Sequence, residues 1–108
     1  QGKPFIKSEI GAGAVYGFEG RLHGYWSQQY QADLVSIVAG AVQTEPKFSG
    51  LSLWQFFDVR TTVDPQYDLG RPRTFNNKGM LNEYRLPKHA TMTAIQQLWA
   101  PPSNDMRK

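Results

Sequence analysis

The order of the apolar segments constrains the fold of this chain more than any other feature of its sequence. A β-branched and aromatic run at 5–10 predicts a strand, and glycines punctuate a long loop at 11–26. Ser27 is suited to cap a helix that ends near Pro46. The apolar run at 48–57 is typical of a strand that is buried on both faces.

The second half of the chain repeats this order with a longer loop. Residues 58–86 carry Asp, Pro, Gly, Arg and Asn without periodicity, which indicates an ordered functional loop. Pro87 suits the first position of a last helix, which ends before Pro101 and leaves a polar tail at 103–108. Two apolar stripes predict the helices: Tyr30, Leu34, Ile37, Val38, Ala41 and Val42 in the first, and Met92, Ile95, Leu98 and Trp99 in the second.

The resulting βαβα order predicts the α/β class, with a parallel sheet that is covered by helices. Two strands alone leave both edges of such a sheet open. We therefore expect residues 1–108 to be one portion of a larger catalytic or binding domain, with no second domain of their own.

Composition excludes several classes of protein. Apolar residues make up 40% of the chain and charged residues 19%, which favours a packed domain over a disordered one. Cysteine is absent, and His23 and His89 alone cannot form a structural zinc centre, so neither a metal nor a cofactor is expected. No run reaches the roughly 20 apolar residues of a membrane span, and the first residues lack the apolar segment of a signal peptide. We expect a soluble chain with no membrane partner, in a compartment that the sequence leaves open.

The positive charge is local. Between residues 71 and 88, five Lys and Arg stand against the single acidic residue Glu83, so this stretch carries +4 and the rest of the chain −1. Such a patch suggests an anionic partner. A nucleic acid is disfavoured because the patch spans one loop only, so no nucleic-acid partner is expected.

Four motifs carry a resemblance to a known family. The segment KPFIKSEIGAG resembles the surroundings of the catalytic nucleophile in family 2 glycoside hydrolases, and YQADLV resembles the helix that follows it. The segment GLSLWQFFD resembles the eighth barrel strand, and NNKGMLNEYRLPKHA resembles the loop and final helix. The motifs occur in the family's order and spacing over residues 3–99, which makes the resemblance specific.

This resemblance implies a fragment of a (β/α)₈ TIM barrel, namely the C-terminal strands seven and eight with their helices. It implies that Glu9 is the nucleophile of a retaining mechanism, in which a second carboxylate lies about 5 to 5.5 Å away. The acid/base Glu of the family is not in this chain, and we interpret Glu83, which belongs to the only Asn-Glu pair of the sequence, as a loop or helix-entry charge. From the residues alone, the favoured interpretation of Glu9 is a solvated residue at a strand end, or one paired with Lys7 on the same face of the strand.

The resemblance also implies substrate-binding residues. Trp54 offers a flat face for a sugar ring, with core packing as the alternative, and relatives often have a cis peptide bond after this Trp. Asn76 and Lys78 resemble the Asn-x-Lys motif that holds a sugar carboxylate, with a solvated turn as the alternative. Further candidates lie nearby, with packing as the alternative for the last four: Arg71, Arg73, Tyr16, Tyr25, Trp26 and His23.

The parent protein is thereby predicted to cleave terminal β-D-glucuronides. A β-galactosidase, a β-galacturonidase and a non-catalytic sugar-binding fragment are the alternatives. The expected partners are the glycoside substrate and the remainder of the barrel, and an oligomer is compatible with the sequence. We expect the isolated chain to be inactive because it lacks the acid/base residue.

Overall fold

The computed structural model describes residues 2–61 and 70–100. Strand β1 spans Phe5–Ile10, helix α1 spans Gln28–Thr44 and strand β2 spans Phe48–Leu53. Two short strands follow, β3 at Val59–Arg60 and β4 at Phe75–Asn76, with a 3₁₀ turn at Pro72–Thr74 between them. Helix α2 spans His89–Trp99, so the predicted α/β order is confirmed.

Strands β1 and β2 form a parallel pair, and β3 and β4 form an antiparallel pair. The parallel register joins Phe5 to Phe48 and Ile10 to Leu53, with irregularities after Phe5 and after Lys7. A parallel connection requires a crossover, and α1 supplies it. The carboxyl ends of β1 and β2 therefore lie at the same edge of the sheet.

Helix α1 begins where the sequence predicts. The hydroxyl of Ser27 accepts a hydrogen bond from Tyr30 N at 3.1 Å, and the helix ends at Thr44 with Glu45 as its C-cap. Such a cap satisfies one of the free N–H groups of the first turn.

The apolar stripe that predicts α1 is not the face of the helix that is buried in this chain. The buried residues of the helix are small or amide-bearing and recur at helical spacing: Gln28, Gln31, Ala32, Val35 and Ala39. The apolar stripe lies beside this face, and Ile37 on it is 71% exposed. Small residues allow α1 to approach α2 closely, and the Gln31 side chain is stabilised there by hydrogen bonds. The apolar pattern therefore marks a second face of α1, which other described residues cover only in part.

Two other boundaries differ from prediction. Strand β2 ends at Leu53 rather than Phe57, and its residues are half-buried or exposed within this chain rather than buried on both faces. The peptide bond Trp54–Gln55 is cis, as the resemblance predicts. Pro87 precedes the N-cap Lys88 instead of occupying the first helical position, because α2 starts at His89. The predicted tail at 103–108 lies outside the described residues.

After Trp54 the chain continues as a short ladder instead of a strand of the main sheet. The N–H of Gln55 donates to the carbonyl of Lys78 at 2.9 Å, and the N–H of Met80 donates to the carbonyl of Gln55 at 2.9 Å. A parallel bridge between Phe57 and Leu81 extends this pairing. The predicted loop at 58–86 is thus ordered in its described part by pairing with the segment that follows β2. Among the described residues, no helix has the length and apolar character needed to cross a membrane.

Candidate active site

Three of the predicted site residues line one groove. Glu9 lies near the end of β1, Trp54 follows β2 directly, and Lys78 lies on the segment that pairs with Gln55. The groove has a volume of about 440 Å³, and its lining comprises Lys7, Glu9, Ile10, Gly11, Leu34, Val38, Trp54 and Lys78. The main sheet and the ladder beyond it therefore bring together a carboxylate, an indole and an ammonium group.

Glu9, Trp54 and Lys78 are all accessible from solvent. Trp54 is 42% exposed, and Glu9 and Lys78 are also in the exposed class. A ring that is exposed on one side can stack against an apolar face of a ligand while its N–H still donates a hydrogen bond. The groove can thus receive a polar ring-shaped molecule.

Asn76 does not line this groove. Its side-chain oxygen accepts a hydrogen bond from the N–H of Lys78 at 3.2 Å, as in an Asn-initiated turn. The Asn-x-Lys residues therefore form a turn here, which is the alternative interpretation given for them above. The geometry therefore joins Asn76 to Lys78 through the backbone, and the two do not face one cavity in this structure.

Other candidates lie on a second groove of about 310 Å³. Tyr16 and Arg73 are part of its lining, together with Phe75, Asn82, Glu83 and Tyr84. Arg71 is exposed and lines neither groove. Glu83 accepts a hydrogen bond from Arg60 Nε at 3.2 Å, as a loop charge would.

The aromatic residues of the loop at 11–26 mostly pack against their neighbours. Tyr25 contacts the ring of Tyr30 with 4.8 Å between the ring centres, and the carbonyl of Trp26 accepts the N–H of Val15 at 2.8 Å. His23 forms an ion-pair contact with Asp33 on the surface. None of these three side chains lines the groove of Glu9.

A buried ion pair is hydrogen-bonded to the backbone of Asn77 and Gly79, the residues on either side of Lys78, and sequence reasoning missed it. Lys88 Nζ donates to Asp58 Oδ1 at 2.8 Å, and the two side chains are 0% and 5% exposed. Burial raises the pKa of the Asp58 carboxyl and lowers the pKa of the Lys88 ammonium, while the contact between the two groups acts in the opposite direction for each. We take the charged pair as the resting state because each group is hydrogen-bonded to the other and to backbone.

A second buried network joins the helices to the strand ends. The Gln31 amide donates to the carbonyl of Ala12 at 2.9 Å and to the carbonyl of Gly79 at 3.1 Å. The Thr91 hydroxyl donates to Gln31 Oε1 at 2.6 Å. One side chain of α1 thus connects the segment after β1 to the segment that carries Lys78.

Glycine is required at two close approaches beside the groove. A Cβ on Gly11 would collide with the carbonyl of Trp54. A Cβ on Gly79 would collide with the backbone of Phe57, Asp58 and Leu81. Because these contacts are with backbone, neighbouring side chains cannot relieve them by moving.

Comparison with known proteins agrees with this arrangement. No family model matches the chain. The chain is 30% identical over 99 residues to the β-glucuronidase of Sus scrofa. The aligned segment makes up 90% of this chain and 14% of that protein. It therefore spans about one seventh of the length of this curated relative.

Solved structures show the same similarity. A family 2 β-galacturonidase from Eisenbergiella tayi, bound to galacturonate, is 42% identical with a TM-score of 0.80, over 94% of this chain and 18% of that one. A β-glucuronidase from Bifidobacterium dentium, complexed with coumarin-3-O-glucuronide, is 28% identical with a TM-score of 0.77, over 94% of this chain and 16% of that one. The chain is a β-glucuronidase-like segment of glycoside hydrolase family 2.

Proposed function

We propose that this chain is the C-terminal quarter of a (β/α)₈ catalytic barrel, with β1 and β2 as strands seven and eight. The parallel pairing of β1 and β2 around the crossover helix α1 supports this assignment. Barrel enzymes carry their active sites at the carboxyl ends of the strands, which is where Glu9 and Trp54 lie.

The parent protein is a retaining glycoside hydrolase in this proposal. Glu9 attacks the anomeric carbon, and the glycosidic bond breaks as an acid/base Glu elsewhere in the parent protonates the leaving oxygen. Water, activated by the same acid/base residue, then cleaves the ester on Glu9 and releases the sugar. The position of Glu9 in an accessible groove is compatible with this attack.

The preferred substrate is a β-D-glucuronide. A glucuronide differs from a glucoside by a carboxylate at C6, and Lys78 supplies a cation in the groove of Glu9. The Asn76 amide assists once the substrate draws it toward the carboxylate. The observation that carries the proposal is that Glu9, Trp54 and Lys78 line one groove.

A β-galacturonidase is the second candidate. The 42% identity to an enzyme of that activity favours it. Galacturonides and glucuronides share the carboxylate and differ in the configuration at C4. In this proposal Lys78 recognises the carboxylate of either uronic acid, so the two candidates share the same carboxylate site.

A substrate panel tests the proposal. The full-length protein is assayed with aryl β-glucuronide, β-galacturonide, β-glucoside and β-galactoside. We expect a uronide to be the best substrate and Lys78→Ala to lower kcat/KM for that uronide by about 10- to 150-fold, as the loss of a charge-assisted hydrogen bond does. The neutral glycosides should change little.

Lys7→Ala is the matched control, since it removes another ammonium group from the same groove. It should leave the ratio of uronide to neutral activity close to that of the wild type. Equal losses on charged and neutral glycosides after Lys78→Ala, or a wild type that prefers β-galactosides, would contradict recognition of the carboxylate.

A further inference from the structure

The backbone on both sides of Lys78 is held by one buried ion pair. Lys88 Nζ donates to the carbonyl of Asn77 at 2.9 Å as well as to Asp58 Oδ1. The same carboxylate oxygen accepts the N–H of Gly79 at 2.8 Å. The residue before Lys78 and the residue after it are thus bonded to the two members of a single pair.

Further hydrogen bonds connect this clamp to the rest of the groove. The carbonyl of Lys78 accepts the N–H of Gln55, the residue after Trp54, at 2.9 Å. Gln31 bonds the carbonyl of Gly79 to α1 and to Ala12 near the end of β1. The backbone of Lys78, from which its side chain extends, is therefore fixed relative to both Trp54 and the strand that carries Glu9.

Stability alone explains such a pair poorly. Removing two charges from water is costly, and replacing a buried ion pair by apolar residues is often neutral or stabilising. Asp58 and Lys88 are nevertheless buried as charges, and both point their hydrogen bonds at the backbone next to Lys78. The directed bonds indicate a geometric role for the pair.

We propose that Asp58 and Lys88 are positioning residues, which aim the Lys78 ammonium at the carboxylate of the substrate and thereby set the preference for uronides over neutral glycosides. This inference rests on the proposed function, because it acts through Lys78. Without the pair, the segment 77–79 loses two directed bonds, and the ammonium on its long flexible side chain samples more positions.

The experiment uses the full-length enzyme with Lys88→Met, Asp58→Asn and the double variant. Asp58→Asn keeps the shape of the side chain but replaces the carboxylate by a neutral amide, which weakens the charge-assisted bonds that Asp58 Oδ1 accepts from Lys88 Nζ and from the N–H of Gly79. Lys47→Met, at an exposed position, is the matched control for loss of a lysine. Activities are measured well below the unfolding temperature of each variant, with an aryl glucuronide and an aryl glucoside.

We expect the ratio of glucuronide to glucoside kcat/KM to fall by about tenfold in the variants, the size of one charge-assisted hydrogen bond. The loss should be mainly in KM for the glucuronide, while KM for the glucoside stays near wild type. Lys47→Met should leave the ratio unchanged. A merely structural role would lower the activity on both substrates together and would overturn the inference.

Comparison with Lys78→Ala distinguishes a failure of the positioning role from a failure of the proposed function. If Lys78→Ala lowers the ratio and neither Lys88→Met nor Asp58→Asn does, the positioning role is wrong and the proposed function stands. If Lys78→Ala leaves the ratio unchanged, both fail. In the Lys78→Ala background, Lys88→Met should have no further effect on the ratio, and an additional effect there would contradict a role through Lys78. If Lys88→Met and the double variant do not fold, the ratio of glucuronide to glucoside kcat/KM in Asp58→Asn tests the positioning role instead.

Discussion

The exposed groove and the buried network that bonds to the residues flanking Lys78 use polar residues in opposite ways. In the groove, Glu9, Trp54 and Lys78 face solvent and have room for a ligand. In the network, Asp58, Lys88, Gln31 and Thr91 are buried and hydrogen-bonded to one another and to nearby backbone groups. The difference teaches that the groove residues can be exchanged at little cost in stability, whereas the network residues cannot.

The largest effect should come from the groove. We expect Glu9→Gln in the full-length enzyme to reduce turnover by about 10⁴-fold or more, because removing one member of a cooperating catalytic set disables the set. The unfolding midpoint should stay near wild type because Gln keeps the size and shape of the Glu side chain. A mechanism-based fluoro-sugar should label Glu9, and mass spectrometry that finds the label on Glu83 instead would refute the assignment of the nucleophile.

The network should show the reverse behaviour. Lys88→Met leaves the Asp58 carboxylate buried without its cation, which we expect to cost about 3 to 5 kcal/mol of unfolding free energy at pH 7. Burial then raises the pKa of Asp58 further, so the folded state holds a proton that the unfolded state releases. The free energy of unfolding of the variant therefore falls as the pH rises through that raised pKa.

Urea unfolding of Lys88→Met at pH 4 and pH 7 checks this sign. The deficit relative to wild type should be smaller at pH 4 than at pH 7, because a raised pKa of Asp58 favours its neutral form in the folded variant at the lower pH. Lys47→Met should show no deficit at either pH. A larger deficit at pH 4 would mean that Asp58 is not the group left uncompensated.

A smaller effect is expected at the point where α2 contacts the network. Thr91→Val removes the hydroxyl that donates to Gln31 Oε1 and should cost about 1 to 3 kcal/mol, because a buried acceptor loses its partner. Thr93→Val on the exposed side of the same helix is the control and should be close to neutral. Similar midpoints for the two variants would show that the Gln31 contact is dispensable.

The smallest predicted effect lies at the start of α1, outside both regions. Ser27→Ala removes the hydroxyl that accepts the N–H of Tyr30 and should cost about 1 kcal/mol. Ser36→Ala, within the same helix, should be neutral or slightly stabilising because alanine has the higher helix propensity. A Ser27→Ala variant as stable as Ser36→Ala would show that the cap contributes nothing.

The same contrast explains what the sequence could predict. Strand β1, helix α1 and the cap at Ser27 follow from local residue patterns, and the observed bounds match them. The motif around Glu9 identified the family, and the family comparisons confirm that recognition. The roles of Glu9, Trp54, Asn76 and Lys78 stay predictions.

The network could not be predicted because its signals depend on tertiary structure. Lysine and glutamine are usually exposed, so nothing local marks Lys88 or Gln31 as buried. The face of α1 that carries Gln31 contains two alanines and a valine, which is less apolar than the neighbouring stripe. The only available sign for Asp58 is its position directly after the apolar run, where a charged residue at the end of a strand is common.

Gly79 has a consequence for how mutational tolerance in this chain is interpreted. Its α-carbon lies so close to the backbone of Phe57 and Asp58 that any side chain displaces the segment carrying Lys78. In a saturation scan scored by activity, Gly79 would be as intolerant as Glu9 although it has no side chain with which to touch a substrate. Intolerance at this edge of the sheet therefore reports packing and chemistry together, and only a parallel measurement of folding can separate them.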